Sequence, residues 1–277
     1  MLSPTTSTVR ALDLVVLADV HLGTASCKAE ALCGYLRRIQ PEVLVINGDL
    51  IDLTRSDTPV LPAAHKAVLH ALLRLSVAGT RIYYLTGNED ARLRRHEPFS
   101  AGNVHLREEL VLQVGGKRYW FSHGDGLERV DPSRGVATGG KRRRWRDWYC
   151  RTLLRSNRRL VAANPTVLTD EMQCRFERNA VALVRAAGYD GAVCGHAGTP
   201  VLRFGAPGRP AYLNPGHWNT HRSSLEVKDG EWSLHRYTPS GADDRPVAPM
   251  GVVRLAKLAE RPEAQLLTLL GVALHGG

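Results

Sequence analysis

Leu12-Asp13-Leu14-Val15-Val16-Leu17-Ala18-Asp19-Val20-His21 is an apolar run that ends in a carboxylate and an imidazole. The same design returns twice downstream. Val43–Ile46 runs into Asn47-Gly48-Asp49-Leu50-Ile51-Asp52, and Arg81–Leu85 runs into Thr86-Gly87-Asn88-Glu89-Asp90. Short apolar runs closed by polar turn residues read as buried strands. The segments between them, roughly Lys28–Ile39 and Ala63–Ser76, read as helices, the second ended by Gly79. Strand and helix in alternation imply parallel βαβ units. Ligands of such sheets gather beyond the carboxyl ends of the strands, where all three polar clusters fall.

Further along, Val111–Val114 and Lys117–Ser122 flank Gly115-Gly116 and read as a hairpin that delivers His123-Gly124-Asp125. Ala192–Cys194 leads to Gly195-His196. Short strands are expected at Tyr212–Asn214, Ser224–Lys228 and Trp232–Tyr237, the last two joined at Asp229-Gly230, so this half reads as antiparallel. The fold class is α/β, with two packed sheets and flanking helices. Arg129–Gly140 reads as a loop, followed by helices at Lys141–Leu160 and Asp170–Ala187. The second of these has Thr169 as N-cap, Asp170 and Glu171 in its first turn and Gly188 at its end. The expected organisation is a core in two parts, 1–127 and 188–245, an inserted basic helical cap at 128–187, and a helical tail at 246–277.

A chain of 277 residues with 43% hydrophobic side chains can bury a sizeable core. No apolar run approaches the roughly 20 residues that span a bilayer. Met1–Thr8 is polar, and the first apolar run is interrupted by Asp13 and Asp19, which suits a strand and not a signal peptide. A cytoplasmic location is expected, with peripheral placement on the inner face of the membrane as an extension of it. Five cysteines at irregular spacing, with no CxxC pair, suit reduced and mostly buried thiols. The net charge is +10, and Lys141–Arg159 alone holds nine basic residues and one acid, a net +8. One patch therefore faces an anionic partner.

Asp19, His21, Asp49, Asn88, His123 and His196 all stand at or just past expected strand ends. Carboxylate, imidazole and amide oxygen together suit a borderline-hard divalent ion such as Mn²⁺, Fe²⁺ or Zn²⁺. Two ions about 4 Å apart need a bridging carboxylate, and such a pair stabilises both the attacking and the leaving oxygen of an in-line displacement. A lone Asp-x-His or Gly-Asp is as well explained by a turn or a cap. Five such pieces in one order, each behind an apolar strand, are not.

Asp19-x-His21, Gly48-Asp49-x-x-Asp52, Gly87-Asn88-x-Asp90, His123-Gly124-Asp125 and Gly195-His196 resemble the calcineurin-like metallophosphoesterases in order and spacing, over about 1–127 and 188–237. The resemblance implies a four-layer αββα sandwich of two mixed sheets. It also implies two divalent metal ions, Mn²⁺ before Fe²⁺ or Zn²⁺. Asp19 and His21 would bind the first ion, Asp49 would bridge, and Asn88, His123 and His196 would bind the second. A metal-activated hydroxide would be the nucleophile, with Asp49, Asn88 and His123 at the catalytic centre. A closer resemblance is to the UDP-2,3-diacylglucosamine pyrophosphatases of lipid A synthesis. These share an inserted helical cap after His-Gly-Asp, an asparagine motif without the usual histidine, and an end similar to Tyr212-Leu213-Asn214-Pro215-Gly216-His217-Trp218. The implied reaction cuts UDP-2,3-diacylglucosamine, a nucleotide-linked lipid, to UMP and 2,3-diacylglucosamine 1-phosphate.

Three departures stand out. The superfamily's Gly-His-x-His is Gly195-His196-Ala197-Gly198 here, so the first metal lacks one imidazole. His217 stands where the family has Asp, and is either a replacement ligand or a surface or packing histidine. Glu89 stands where the pyrophosphatases have Arg and the superfamily has His, and either faces substrate or pairs with Arg92 or Arg94. A glutamate beside two cations is a poor proton donor, so an alkoxide would leave badly. A phosphate-type leaving group, with a second pKa of roughly 6, needs no acid, which favours pyrophosphate cleavage. The competing readings are a metallophosphoesterase on another substrate, such as a nucleotide, a nucleic acid or another lipid pyrophosphate, and a metal-binding protein whose turnover was lost with Gly198.

In the cap, Trp145, Trp148, Tyr149, Leu153 and Leu160 follow helical spacing, with Arg146, Arg151, Arg155 and Arg158 largely elsewhere on the wheel. Such a helix suits an anionic membrane surface, single-stranded nucleic acid, or simple packing with solvated arginines. Arg142, Arg143, Arg146 and Trp145 are the candidates for substrate contact if the cap covers the metals. The tail is amphipathic, and docking on the core is its default reading. The sequence leaves the oligomeric state open. His70 falls in an apolar helix stripe and is expected in the core.

Overall fold

The computed structural model describes residues 9–54, 61–129, 168–239 and 246–247. The helix expected at Lys141–Leu160, with Arg142, Arg143, Trp145 and Arg146, lies outside these residues, as do Cys150 and the tail beyond 247.

The chain begins β1 (Arg10–Leu17), α1 (Ala29–Leu36), β2 (Ile39–Asn47), α2 (Ala63–Val77), β3 (Arg81–Leu85). β1, β2 and β3 pair in parallel, as the alternation requires. Two short strands that the sequence did not announce follow, β4 (Phe99–Ala101) and β5 (Val104–Arg107), and β5 extends the sheet in parallel beside β3. The hairpin β6 (Glu109–Val114) and β7 (Lys117–Ser122) turns at Gly115-Gly116. Helix α3 (Asp170–Ala187) starts and stops at the expected residues. Thr169 accepts a hydrogen bond from the Met172 amide at 3.3 Å, and Gly188 closes the helix in the left-handed conformation, φ 72°. The chain then forms β8 (Gly191–Cys194), β9 (Val201–Arg203), β10 (Ala211–Asn214), β11 (Ser223–Lys228), β12 (Glu231–Arg236) and β13 (Pro246–Val247).

These strands form two mixed sheets, ordered β13-β12-β11-β1-β2-β3-β5-β4 and β6-β7-β8-β10-β9. The antiparallel reading of the second half holds for the hairpins β6–β7 and β11–β12 and for β10 beside β9, and needs correction in the middle of the second sheet. β7, β8 and β10 run parallel to one another, and β11 and β12 cross back to the first sheet, where β11 pairs antiparallel with β1. A hairpin rule cannot foresee β7 beside β8, because the long segment between them leaves the pairing to tertiary packing.

The two-residue period of the strands builds the layers. Leu14 and Val16 of β1 join Val43, Val45, Phe121, Val193 and Leu213 in the core between the sheets. Val15 and Leu17, their neighbours, turn the other way onto Leu32 and Leu36 of α1 and Val68 and Leu75 of α2. On the far side, Trp120, Ala192 and Tyr212 are covered by Phe176, Ala180, Leu183 and Val184 of α3. The order is helix, sheet, sheet, helix. α3 falls inside the segment read as an inserted cap, yet its apolar face is the outer cover of the second sheet. Pro246–Val247, at the start of the segment read as a tail, is an edge strand against β12.

Two smaller expectations resolve differently. His70 is exposed, whereas His65, five residues earlier, is buried and accepts a hydrogen bond from the Gly23 amide at 3.0 Å. Cys27, Cys33 and Cys194 are buried free thiols, and Cys174 is free and exposed. Among the described residues no helix is long and apolar enough to cross a membrane.

Candidate metal centre

Six strand ends converge on one cleft. β1 delivers Asp19 and His21, β2 delivers Asp49, β3 delivers Asn88, β7 delivers His123, β8 delivers His196 and β10 delivers His217. The turns that carry four of these are held in the left-handed region: φ is 56° at Asp19, 54° at His21, 54° at Asp49 and 53° at His196. Side-chain-bearing residues rarely adopt that conformation, and each instance costs about 1–3 kcal/mol. Only two other residues with side chains among those described share it, Arg222 and Asp229, so the strain is concentrated where chemistry would use it. Gly48 shows why the turn before Asp49 has no side chain. Its φ is 88°, and a Cβ there would stand 2.1 Å from His123 Nδ1.

Asp49 is the hub. It is 2% exposed, its Oδ1 accepts from the Glu89 amide at 2.8 Å, and its Oδ2 lies 3.2 Å from His123 Nε2. Asn88 Oδ1 is also 3.2 Å from His123 Nε2. His123 Nδ1 donates to the Asn47 carbonyl at 2.8 Å, which fixes the ring with Nε2 toward Asp49 and Asn88. His196 stands edge-on to His123, with ring centroids 5.2 Å apart, and its Nε2 is 3.7 Å from Glu128 Oε2. On the other side of Asp49, His21 Nε2 is 3.8 Å and His217 Nε2 is 3.4 Å from Asp19 Oδ1. His21 Nδ1 donates to Glu89 Oε2 at 2.5 Å.

Asp90 ties the loops together. It accepts from the Gly87 amide at 2.6 Å, the Leu50 amide at 3.0 Å and the Tyr84 hydroxyl at 2.5 Å. Arg94 adds a second tie, donating to both oxygens of buried Asp125 at 2.8 and 3.0 Å and to the Gly87 carbonyl at 2.7 Å. Sequence reasoning missed Glu128 and gave Arg94 the wrong partner, since neither belongs to a motif and each meets its partners only through the fold. Glu89 pairs with His21, and Arg94 turns to Asp125.

The electrostatics call for cations. Burial alone would depress His21, but the hydrogen bond to Glu89 and the charges of Asp19, Glu89 and Asp49 outweigh it and raise its pKa to about 9. His123 is raised well above its ordinary value despite burial, chiefly by Asp49, which is itself lowered against its own burial by His123. Asp90 is pushed up to about 7 by burial and by the Asp49 charge. Among His21, His123 and His196, His196 alone is lowered, by burial and by the neighbouring His123 charge, and a cluster that holds protons so firmly on the other two is short of positive charge. Asp19 Oδ2 is buried without a hydrogen-bond partner, a group that demands an explanation such as an ion. Asp19, His21 and Asp49 can each turn a ligand atom to a common point, all within 4.8 Å of one another. These residues fit divalent cations bound by oxygen and imidazole nitrogen.

The family model of the calcineurin-like phosphoesterases matches residues 12–200 of this chain. The chain belongs to the calcineurin-like phosphoesterases. That family implies divalent metals, and the phosphoesterase core found here places the candidate site at its strand ends. Among curated relatives, a UDP-2,3-diacylglucosamine hydrolase of Aeromonas salmonicida is 26% identical over 84% of this chain and 98% of its own length. The enzyme of the same name from Photorhabdus laumondii is 34% identical over 40% of this chain and 47% of its own. Among solved structures, the phosphoesterase YfcE of E. coli covers 85% of this phosphoesterase and 96% of its own chain, at 15% identity and a TM-score of 0.41. The cleft above the site has a volume of ≈ 590 Å³ and is lined by the candidate ligands other than His123, together with Thr24, Ser26, Asp52, Asn219 and Thr220.

Proposed function

We propose that this phosphoesterase cuts the pyrophosphate of UDP-2,3-diacylglucosamine, releasing UMP and 2,3-diacylglucosamine 1-phosphate. The observation that carries the reading is the convergence of Asp19, His21, Asn88 and His123 around one buried carboxylate, Asp49, in a family of phosphoesterases. The relative from Aeromonas, matched over nearly its whole length, supports the choice of substrate. In this reading Asp19 and His21 would hold a first ion, Asn88, His123 and His196 would hold a second, and Asp49 would be shared between them. Two bound cations, Mn²⁺ foremost, would supply an acidified water and charge neutralisation at the phosphorus.

The chain's own side chains do the positioning. Asn47 holds the His123 ring, Asp90 fixes the loops that carry Asp49 and Asn88, and Glu89 is occupied by His21. Glu89 is therefore an orienting group here and not a proton donor, which suits a UMP leaving group that departs without an acid. Arg142, Arg143, Trp145 and Arg146 are proposed to meet substrate phosphate and the anionic face of the membrane from which a diacyl substrate is drawn.

The test is a substrate panel with Mn²⁺ added, comparing UDP-2,3-diacylglucosamine, a UDP-sugar without acyl chains and an activated phosphodiester. UMP release from the acylated substrate above both others is expected. Faster cleavage of the phosphodiester would sink the reading. For the membrane contact, the Arg142→Ala, Arg143→Ala, Arg144→Ala triple variant should sediment less with anionic vesicles than the unaltered protein, and equal sedimentation would remove that contact.

A further inference from the structure

We propose that His217 is a ligand of the first metal ion, delivered from the loop after β10 into space that Gly198 leaves open. The inference rests on the paired-ion reading above and deepens it at one half of the site.

Four observations carry it. The first is aim. His217 Nε2 stands 3.4 Å and His21 Nε2 3.8 Å from the same oxygen, Asp19 Oδ1. Donors about 2.1 Å from a shared ion stand about 3.0–3.4 Å from one another, so His217 Nε2 already stands at a ligand's distance from Asp19 Oδ1 and His21 Nε2 has a few tenths of an ångström to close. The two imidazoles meet nearly edge-on, with centroids 6.2 Å apart and planes at 82°. The second is space. A Cβ on Gly198 would come 3.1 Å from His217 Cε1 and 3.3 Å from its Nε2. The His217 ring lies against the bare face of residue 198, and a side chain there would contend with it.

The third is backbone anchoring. The His217 amide donates to the Gly198 carbonyl at 3.1 Å, and the Trp218 amide donates to the Ala18 carbonyl at 3.1 Å. Ala18 directly precedes Asp19, so the loop that carries His217 is bonded to the strand end that carries the carboxylate it faces. Trp218 is fully buried and tilts against Tyr35, which fixes the loop from below. The fourth is demand. Asp19 Oδ2 is buried and unpartnered, and among the described residues His21 and Asp49 are the two further donors grouped with Asp19. His217 has one competing contact, with its Nε2 3.4 Å from the His196 carbonyl, a long interaction that a metal bond would replace.

The experiment counts metal. The full-length protein and its His217→Ala, His217→Leu and His123→Ala variants are stripped with chelator and reloaded with Mn²⁺. Ions per chain are then measured, together with the electron paramagnetic resonance signal of a spin-coupled pair. The unaltered protein should hold two ions and show the coupled signal. Both His217 variants should hold one ion and show an isolated-Mn²⁺ spectrum, and His123→Ala should also hold one. His217→Leu keeps bulk at the position without offering a donor, so agreement between the two variants separates ligand loss from misfolding. Two ions and an unchanged coupled signal in both His217 variants would overturn this inference and leave the paired-ion reading standing. Fewer than two ions in the unaltered protein would overturn both.

Discussion

The two halves of the candidate metal centre are built differently. On the side of Asn88, His123 and His196, the His123 ring is fully enclosed and its Nδ1 is held by a backbone carbonyl, that of Asn47, while Asn88 and His196, the latter 13% exposed, reach the cleft. On the side of Asp19, His21 and His217, the imidazoles line the open cleft, with 15% and 33% of their side chains exposed, and His21 is held by a side chain, that of Glu89. A backbone anchor is present whatever residue supplies it, so the enclosed half depends on the fold. A side-chain anchor can be exchanged by one substitution, so the open half is the one that sequence change can rebuild. Gly198, His217 and Glu89 all lie on that open side.

This contrast can be broken or sharpened by substitution. The largest effect is expected at the carboxylate the halves share. Asp49→Ala should remove most of the metal from both sides and lower kcat by on the order of 10³-fold, the upper range for loss of one electrostatic group. Metal analysis and turnover of the same preparation provide the check, and normal turnover would end the bridging assignment. A smaller and one-sided effect is expected at Glu89. Glu89→Ala should weaken one of the two Mn²⁺ ions by about 10–100-fold, the usual consequence of losing the group that orients a ligand histidine. Glu89→Gln, which keeps an acceptor for His21 Nδ1, should recover much of that. Titration calorimetry resolves the two ions, and equal weakening of both would contradict the division into an enclosed and an open half.

Much of the fold was legible because it is written in short-range patterns. β3 and α3 begin and end at the residues the sequence indicated, since apolar period, an N-cap threonine and a terminal glycine act within a few residues. The turns that carry the candidate ligands were legible for the same reason, each closing an apolar strand with polar residues. The pairing of β7 with β8 and the return of β11 to β1 were not, because partners far apart in the chain carry no local signal. His65 and His70 show the limit within one helix. Both lie in α2, but His65 shares the buried stripe of Val68, Leu72 and Leu75 whereas His70, five residues on, is turned away from it, a difference of helix phase that apolar neighbours in the chain do not register.

By itself the sequence determined that carboxylates, imidazoles and an asparagine stand at the ends of buried strands, because hydrophobic period and turn chemistry are local and survive any arrangement of the strands. Only the tertiary structure decided which of those groups face one another. Glu89 reaches His21, Arg94 reaches Asp125, and His217 reaches Asp19, because sheet order and register bring their loops to the same edge. Those contacts arise from the packing of whole layers, which no window of neighbouring residues encodes.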